Sequence, residues 1–271
     1  MAHEPPDASA HEFIVRQTAL AGLTLVTAYT SRRFDRHTHA VYGIGVIDAG
    51  GQTSASGRGQ VEAVRGEVIT VNPGEVHDGV PMQGEKRRWR MVYFDPALWN
   101  SEQSTPEWVL PVLRDERVMA RFEALFASAA RGGDALAVEE HLTALLHHAP
   151  STAAASHRVP SEANGAVRMA RERLADDTLA PPSLAEMARD AAMSRYQFLR
   201  AFAAAFGLPP HAWAQQQRMA RAEACLLSGL TPAEAAVASG FSDQSHMTRA
   251  FRRFRGYTPG SYAGALRQSP R

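Results

Sequence analysis

The stretch Ala236-Val-Ala-Ser-Gly240-Phe-Ser-Asp-Gln-Ser245-His-Met-Thr-Arg-Ala250-Phe-Arg-Arg-Phe-Arg255-Gly-Tyr-Thr-Pro259 reads as two short helices joined by a tight turn. An alanine-rich run from Pro232 to Ser239 supplies the first helix, and Gly240-Phe241 leads out of it. Asp243 is placed to cap the second helix, which ends near Arg255 with Met247, Phe251 and Phe254 facing inward. The outward face carries Gln244, Ser245, His246 and Arg249, followed by Arg252, Arg253 and Arg255.

A shift of 49 residues lays an upstream segment on this one. Arg200, Phe202, Gly207, Pro210 and Trp213 fall on Arg249, Phe251, Gly256, Pro259 and Tyr262, and Phe198 falls on Met247. Coincident glycine, proline and aromatic positions at one offset mark a duplicated supersecondary unit. In the upstream copy Ser183 and Glu186 form a capping-box pair, and Leu184, Met187 and Ala188 make an inner face. Met193 closes the turn, Ser194 caps the next helix, and Gly207 stops that helix before Pro209-Pro210. The expected units are residues 183–206 and 232–255, both helix-turn-helix.

Arginine and glutamine near a helix start are the side chains a major-groove reader needs, because Arg pairs with guanine O6/N7 and Gln with adenine N6/N7. The expected DNA-binding residues are Arg195, Tyr196, Leu199 and Arg200 in the first unit. In the second they are Gln244, Ser245, His246 and Arg249, with Arg252 and Arg253 toward phosphate. A merely solvated face is the alternative. The duplication, the short turns and the arginine shared by both helices favour a reader of double-stranded DNA. Between the units, a helix from about Pro209 to Leu227 would be ~28 Å long, suited to spacing two readers toward major-groove segments ~34 Å apart.

The run Gly240-Phe241-Ser242-Asp243-Gln244-Ser245, with Arg249, Phe251, Gly256, Thr258 and Pro259, resembles the signature of the AraC/XylS family of bacterial transcription regulators. Arg218, Ala222 and Leu226 match that family's linker helix, and the likeness covers about residues 161–266. The resemblance implies a seven-helix domain with two helix-turn-helix motifs, promoter or operator binding, commonly as an activator, and RNA polymerase as a partner. By position it implies Tyr196, Leu199 and Arg200, then Gln244, Ser245, His246 and Arg249, as the base-reading set. Pro232 and Ala235 stand where the family usually has larger aliphatic residues, which implies a thinner core under the second unit. His246-Met247 replaces a usual aromatic pair.

The rest of the chain bounds the function. Residues 161–271 hold 14 Arg against 9 acidic residues, while residues 1–160 hold 15 basic against 19 acidic, so the basic half is the one that carries the repeat. The single cysteine, Cys225, excludes a disulfide within one chain. Met1 to Ala10 is polar, and no run approaches the ~18 apolar residues of a membrane span, so a cytoplasmic protein without a membrane partner is expected.

From Gly22 to about Asp95, short β-branched and aromatic runs alternate with glycine-bearing turns: Leu23–Tyr29, Val41–Ile47, Val61–Val64, Glu67–Val71 and Trp89–Phe94. This pattern predicts a β-sandwich or barrel. After Pro96 helical spacing takes over, with Val118, Phe122, Leu125, Phe126 and Ala129, then a break at Gly132-Gly133, then Leu142, Leu145 and Leu146. The helical hairpin would bury this stripe against its own domain or against a second copy in a homodimer. Pro150 to Pro160 has linker composition. The expected organisation is multidomain, β then all-α: a sensor and dimerisation domain at 11–149, a linker at 150–160 and a DNA-binding domain at 161–268.

His37-Thr38-His39 and Gly66 to His77, especially Pro73-Gly74-Glu75-Val76-His77, resemble segments that line the interior of cupin barrels (jelly-rolls), often the sensor half of such regulators. His37 and His39 share one side of a strand by its period of two, and His77 can join them. The alternative is a metal-dependent cupin enzyme with His37, His39 and His77 as ligands. Tyr42-Gly43-Ile44 stands where metal cupins place a carboxylate, so a cofactor-free, metal-free pocket is favoured over a metal site and over purely structural histidines. His37, His39, Tyr42, His77, Arg90 and Tyr93 are its expected lining, suited to a small polar or anionic effector, with an outward strand face as the alternative for Arg90 and Tyr93. The expected protein is a ligand-responsive transcription regulator, not an enzyme.

Overall fold

The computed structural model describes residues 12–99, 106–153, 165–176 and 181–267. Strands come first: β1 (Glu12–Gln17), β2 (Leu23–Thr30), β3 (Phe34–His37), β4 (Tyr42–Ala49), β5 (Gly51–Ser56), β6 (Gly59–Val64), β7 (Val68–Val71), β8 (His77–Pro81), β9 (Arg87–Phe94), β10 (Pro106–Trp108) and β11 (Val112–Leu113). One antiparallel sheet runs β1-β2-β9-β4-β7-β11 and a second runs β3-β8-β5-β6. Period-two alternation gives the larger sheet two different faces. Val26, Ala28, Trp89 and Met91 face inward with Phe34 and Ala63 of the smaller sheet. Leu23, Leu25, Tyr42, Ile44, Val92 and Phe94 form the opposite, outer face.

That outer face is covered by α1 (Glu116–Ala130) and α2 (Ala135–His148), each capped by an aspartate, Asp115 and Asp134. Gly132, at φ +78°, makes the break between them. Val118, Phe122, Leu125, Ala129, Leu142, Leu145 and Leu146 are buried in one cluster with the sheet. The apolar stripe of the hairpin is therefore spent on its own core. A short strand, β12 (Ser151–Ala153), pairs with β10, so the stretch of linker composition begins as structure. Residues 154–160 of that stretch lie outside the described residues.

Helices follow: α3 (Gly165–Asp176), α4 (Leu184–Asp190), α5 (Arg195–Phe206), α6 (Pro210–Leu227), α7 (Pro232–Ala238), α8 (Gln244–Phe254) and α9 (Pro259–Arg267). The start of α4, α5 and α7 is set by a reciprocal capping box, Ser183 with Glu186, Ser194 with Gln197 and Thr231 with Glu234. Gly207 ends α5 in the left-handed conformation, as its position required. Two separate cores result. Val167, Met187, Phe198 and Phe202 hold α3 to α5, and Met219, Leu226, Met247, Phe251 and Phe254 hold α7 to α9 against the end of α6. Ala222, Ala235, Ala236 and Ala250 make much of the second core, which is built from smaller side chains than a typical helix contact. The turns of the two units differ by one residue. Ala192 (φ +52°) turns the chain in the first and Gly240 (φ +82°) in the second, but the second adds Asp243 after Ser242 as its cap.

The helical half lies on the mouth of the barrel. Val15 of β1 packs against the second helical core, and a β-carbon at Gly256 would fall 2.5 Å from the Phe13 ring, so glycine there permits the approach. The Thr38 amide donates to Gln216 Oε1 of α6 at 3.4 Å.

Candidate functional site

In α5 the side chains of Arg195, Tyr196 and Arg200 are exposed and Leu199 is half-buried. Arg200 lies over the Tyr196 ring, 5.7 Å from its centroid. In α8 Gln244, Ser245 and Arg249 are exposed. Asp243 caps that helix, accepting from the His246 amide at 2.6 Å, and this bond holds its carboxyl below the usual aspartate range. His246 is half-buried, its Nδ1 3.1 Å from Ser242 Oγ and its ring edge-on to Phe241. It reaches less far outward than its neighbours. Phe198, Met247, Phe202 and Phe251 are buried as the repeat required, so Arg200 and Arg249 occupy matching outward positions.

The last arginines of α8 depart from the sequence reading. Arg255, expected outward, is buried at 7% exposure. Its Nε donates to Glu223 Oε1 of α6 at 2.6 Å and its Nη2 to Oε2 at 3.3 Å. Burial works against the charge, but the Glu223 carboxylate outweighs it and holds the guanidinium firmly protonated. Arg252 and Arg253 are exposed yet meet the barrel: Arg253 pairs with Asp35 at 2.7 Å, and Arg32 donates to the Arg252 carbonyl.

Behind this contact is a cavity of about 330 Å³ inside the barrel. His37, His39, His77 and Tyr93 line it, and Glu223, Arg255, Tyr257 and Tyr262 of the helical half complete its wall. The three imidazoles cluster, with ring centroids 4.4 to 5.3 Å apart. His37 Nδ1 is 2.7 Å from the Asp35 carbonyl and His77 Nδ1 is 3.0 Å from the Glu75 carbonyl. A carbonyl only accepts, so both Nδ1 atoms carry the proton and both Nε2 atoms keep a lone pair. Burial pushes all three histidines below their ordinary range, and Arg255 adds to the effect, so they are neutral near pH 7. Tyr93 is pushed up to about 12, chiefly by burial, and is a neutral donor.

Tyr42 and Arg90 lie elsewhere. Tyr42 is on the outer face, stacked on Phe94, with its hydroxyl donating to the Pro106 carbonyl at 2.5 Å. Arg90 sits under α1, held by Asp48 at 2.7 Å and Glu123 at 2.6 Å, which raise its pKa further. Strand parity explains both. Trp89, Met91 and Tyr93 face the cavity, so Arg90 faces away. The same parity points to Arg87, which sequence reading missed. Arg87 is 1% exposed and lines the cavity, donating to Gln52 Oε1, the Arg32 carbonyl and the Gly79 carbonyl. Burial lowers its pKa to about 10, and among the described residues no carboxylate pairs with it.

A strand-rich half enclosing a cavity, followed by a duplicated helix-turn-helix unit, agrees with two family models. Residues 21–146 match the AraC-like ligand binding domain and residues 187–265 match a helix-turn-helix domain. The chain belongs to the AraC family of transcription regulators. This AraC-type regulator is 28% identical over 228 residues to the uncharacterized HTH-type transcriptional regulator YbfI of Bacillus subtilis, across 80% of this chain and 82% of that one. The virulence regulon transcriptional activator VirF of Yersinia enterocolitica is 35% identical over 77 residues, 28% of each chain. The crystal structure of ToxT from Vibrio cholerae shares the fold over 91% of this chain and 99% of its own, with a TM-score of 0.52 at 12% identity. The AraC-type regulator therefore binds DNA through its helical half and carries a ligand-binding domain in its strand-rich half.

Proposed function

We propose that this AraC-type regulator activates promoters, reading one major-groove segment with α5 and the next with α8, in response to a small anionic effector held in the barrel. The 18-residue α6 spans ~27 Å at ~1.5 Å per residue, which supports adjacent placement of the two readers. Activation is the role of VirF, a relative of its DNA-binding half, and supports the same sign here. Arg195, Tyr196, Arg200, Gln244, Ser245 and Arg249 supply the DNA face, with Arg249 as the chief base contact of α8. A site selected from a random library by the wild-type chain tests this. Arg249→Ala is expected to weaken that site by about 1 to 3 kcal/mol and relax selection at one base pair. Unchanged selection removes Arg249 from the reading set.

The observation that carries the effector class is Arg87, a buried cation facing the cavity without a carboxylate partner. Burying an unpaired charge is unfavourable, and a ligand carboxylate beside it supplies the missing countercharge, with Tyr93 and the neutral histidines as hydrogen-bonding groups. A second reading rests on one specific observation: the ligand atoms of His37, His39 and His77 lie within 4.8 Å of one another, a set that fits a divalent transition metal. The Nδ1–H donation of His37 and His77 to backbone carbonyls is also what metal-bound histidines use. The charge of Arg87 opposes a dication and favours an anion, whereas that of Arg255 is already matched by Glu223. Thermal shift separates the two. Small carboxylic acids are expected to raise the melting temperature where their amides do not, with the difference lost in Arg87→Gln, and Zn²⁺ titrated into chelator-treated protein is expected to bind substoichiometrically. Stoichiometric Zn²⁺ binding that His39→Ala abolishes would establish the metal reading instead.

A further inference from the structure

The exposed side of α8 opens onto a surface groove of about 370 Å³ shared with the turn between β2 and β3. Arg249, Arg252 and Arg253 come from the helix, and Arg32, Arg33 and Asp35 come from the barrel. Five guanidinium groups therefore face a single carboxylate. Asp35 is engaged by Arg253, and Arg32 is tied to the Arg252 carbonyl at the end of α8, which fixes the barrel turn against the helix. Arg33 and Arg249 are exposed, Arg33 has no ion pair among the described residues, and Arg249 has only the charge of the capping Asp243 nearby. A groove with so large an excess of one sign is held together against its own repulsion, and it is complementary to a polyanion that presents a row of negative charges.

We propose that the barrel takes part in DNA binding: Arg33, with Arg32 beside it, holds backbone phosphates next to the segment that α8 reads. The inference rests on the reading that α8 enters the major groove. Phosphates border the groove on either side of the base edges, so cations packed beside a base-reading arginine meet the backbone. A regulator whose sensor half contributes phosphate contacts binds DNA through both halves, and the affinity it gains from the sensor is independent of sequence.

Salt dependence tests this with the full chain. Each phosphate neutralised adds about 0.9 to the magnitude of the slope of log K against log salt on duplex DNA. On a 30-base-pair duplex of random sequence, Arg33→Ala is expected to make that slope shallower by about 0.9, and Arg33→Lys to restore it. Arg33 is exposed, and an unchanged melting temperature verifies that the variant is folded. An unchanged slope in Arg33→Ala overturns the proposal, and so does tighter binding, which would show the turn obstructing the duplex. If Arg33→Ala has no effect while Arg249→Ala relaxes the selected sequence, the sensor contact alone has failed. If Arg249→Ala also changes nothing, the reading of α8 has failed with it.

Discussion

Arg255→Ala is expected to destabilise the chain by about 3 kcal/mol, because it strands a carboxylate that is largely withdrawn from water. The Glu223 side chain is 19% exposed, and Arg255 supplies both of its hydrogen-bonded nitrogens. The surroundings cannot replace that charge. Tyr93, Tyr257 and Tyr262 all have their phenols pushed up, first by burial, and offer only neutral groups. Chemical denaturation of the two chains measures the loss. Arg255→Met combined with Glu223→Met is expected to recover most of it, since neither partner then leaves an unmatched charge. A single variant within 1 kcal/mol of wild type would mean that the pair contributes nothing to the closed arrangement.

Phe251→Ala carries the other large effect, about 3 to 5 kcal/mol by the usual cost of deleting a buried ring. Phe251 is fully buried at the centre of the second unit, among Ala222, Ala235, Ala236 and Ala250. Small, backbone-anchored neighbours cannot close into the vacated space, which places the effect toward the upper end. Because α3 to α5 are held by a separate core, the damage is expected to stay local. Amide hydrogen exchange is expected to show α7 to α9 losing protection while α4 and α5 keep theirs. Equal loss in both units would show that the two cores unfold as one. Phe202→Ala is the mirror experiment, with the first unit losing protection.

The contrast between what the residues announce and what they conceal follows from the range of the forces. The helical units were legible because their determinants are local: Ser183, Ser194 and Asp243 cap helices through bonds three residues away, and Gly207 stops one through its own φ. Strands β2, β4, β6, β7 and β9 announced themselves by β-branched runs. Strands β5 and β8 did not. Gln52, Ser54 and Ser56 of β5 turn toward the cavity, and a strand that lines a polar cavity lacks the apolar alternation that marks a strand against a core. His37, His39 and His77 were legible from the motif, although β3 ends at His37 and the strand period does not reach His39. Arg90 and Tyr93 could not both have faced inward, being three residues apart on one strand, and applying that parity strictly would have exchanged Arg90 for Arg87. Arg255 was beyond local reasoning. Its partner Glu223 lies 32 residues away on α6, and Tyr93 of the barrel also interacts with it, so neither is visible in the helix pattern.

The wall of the cavity is borrowed in part from the DNA-binding half, and thermodynamic reciprocity attaches a condition to that loan. A guest gripped more firmly when Glu223 and Arg255 are in place must, by the same factor, strengthen their attachment to the barrel. A promoter that draws α8 away loosens the guest by as much as the guest resists the promoter, whereas one that accepts the docked helix leaves its grip untouched. The sign of that exchange is a property of two equilibria that share one seam, and occupancy measured with and without DNA reads it directly.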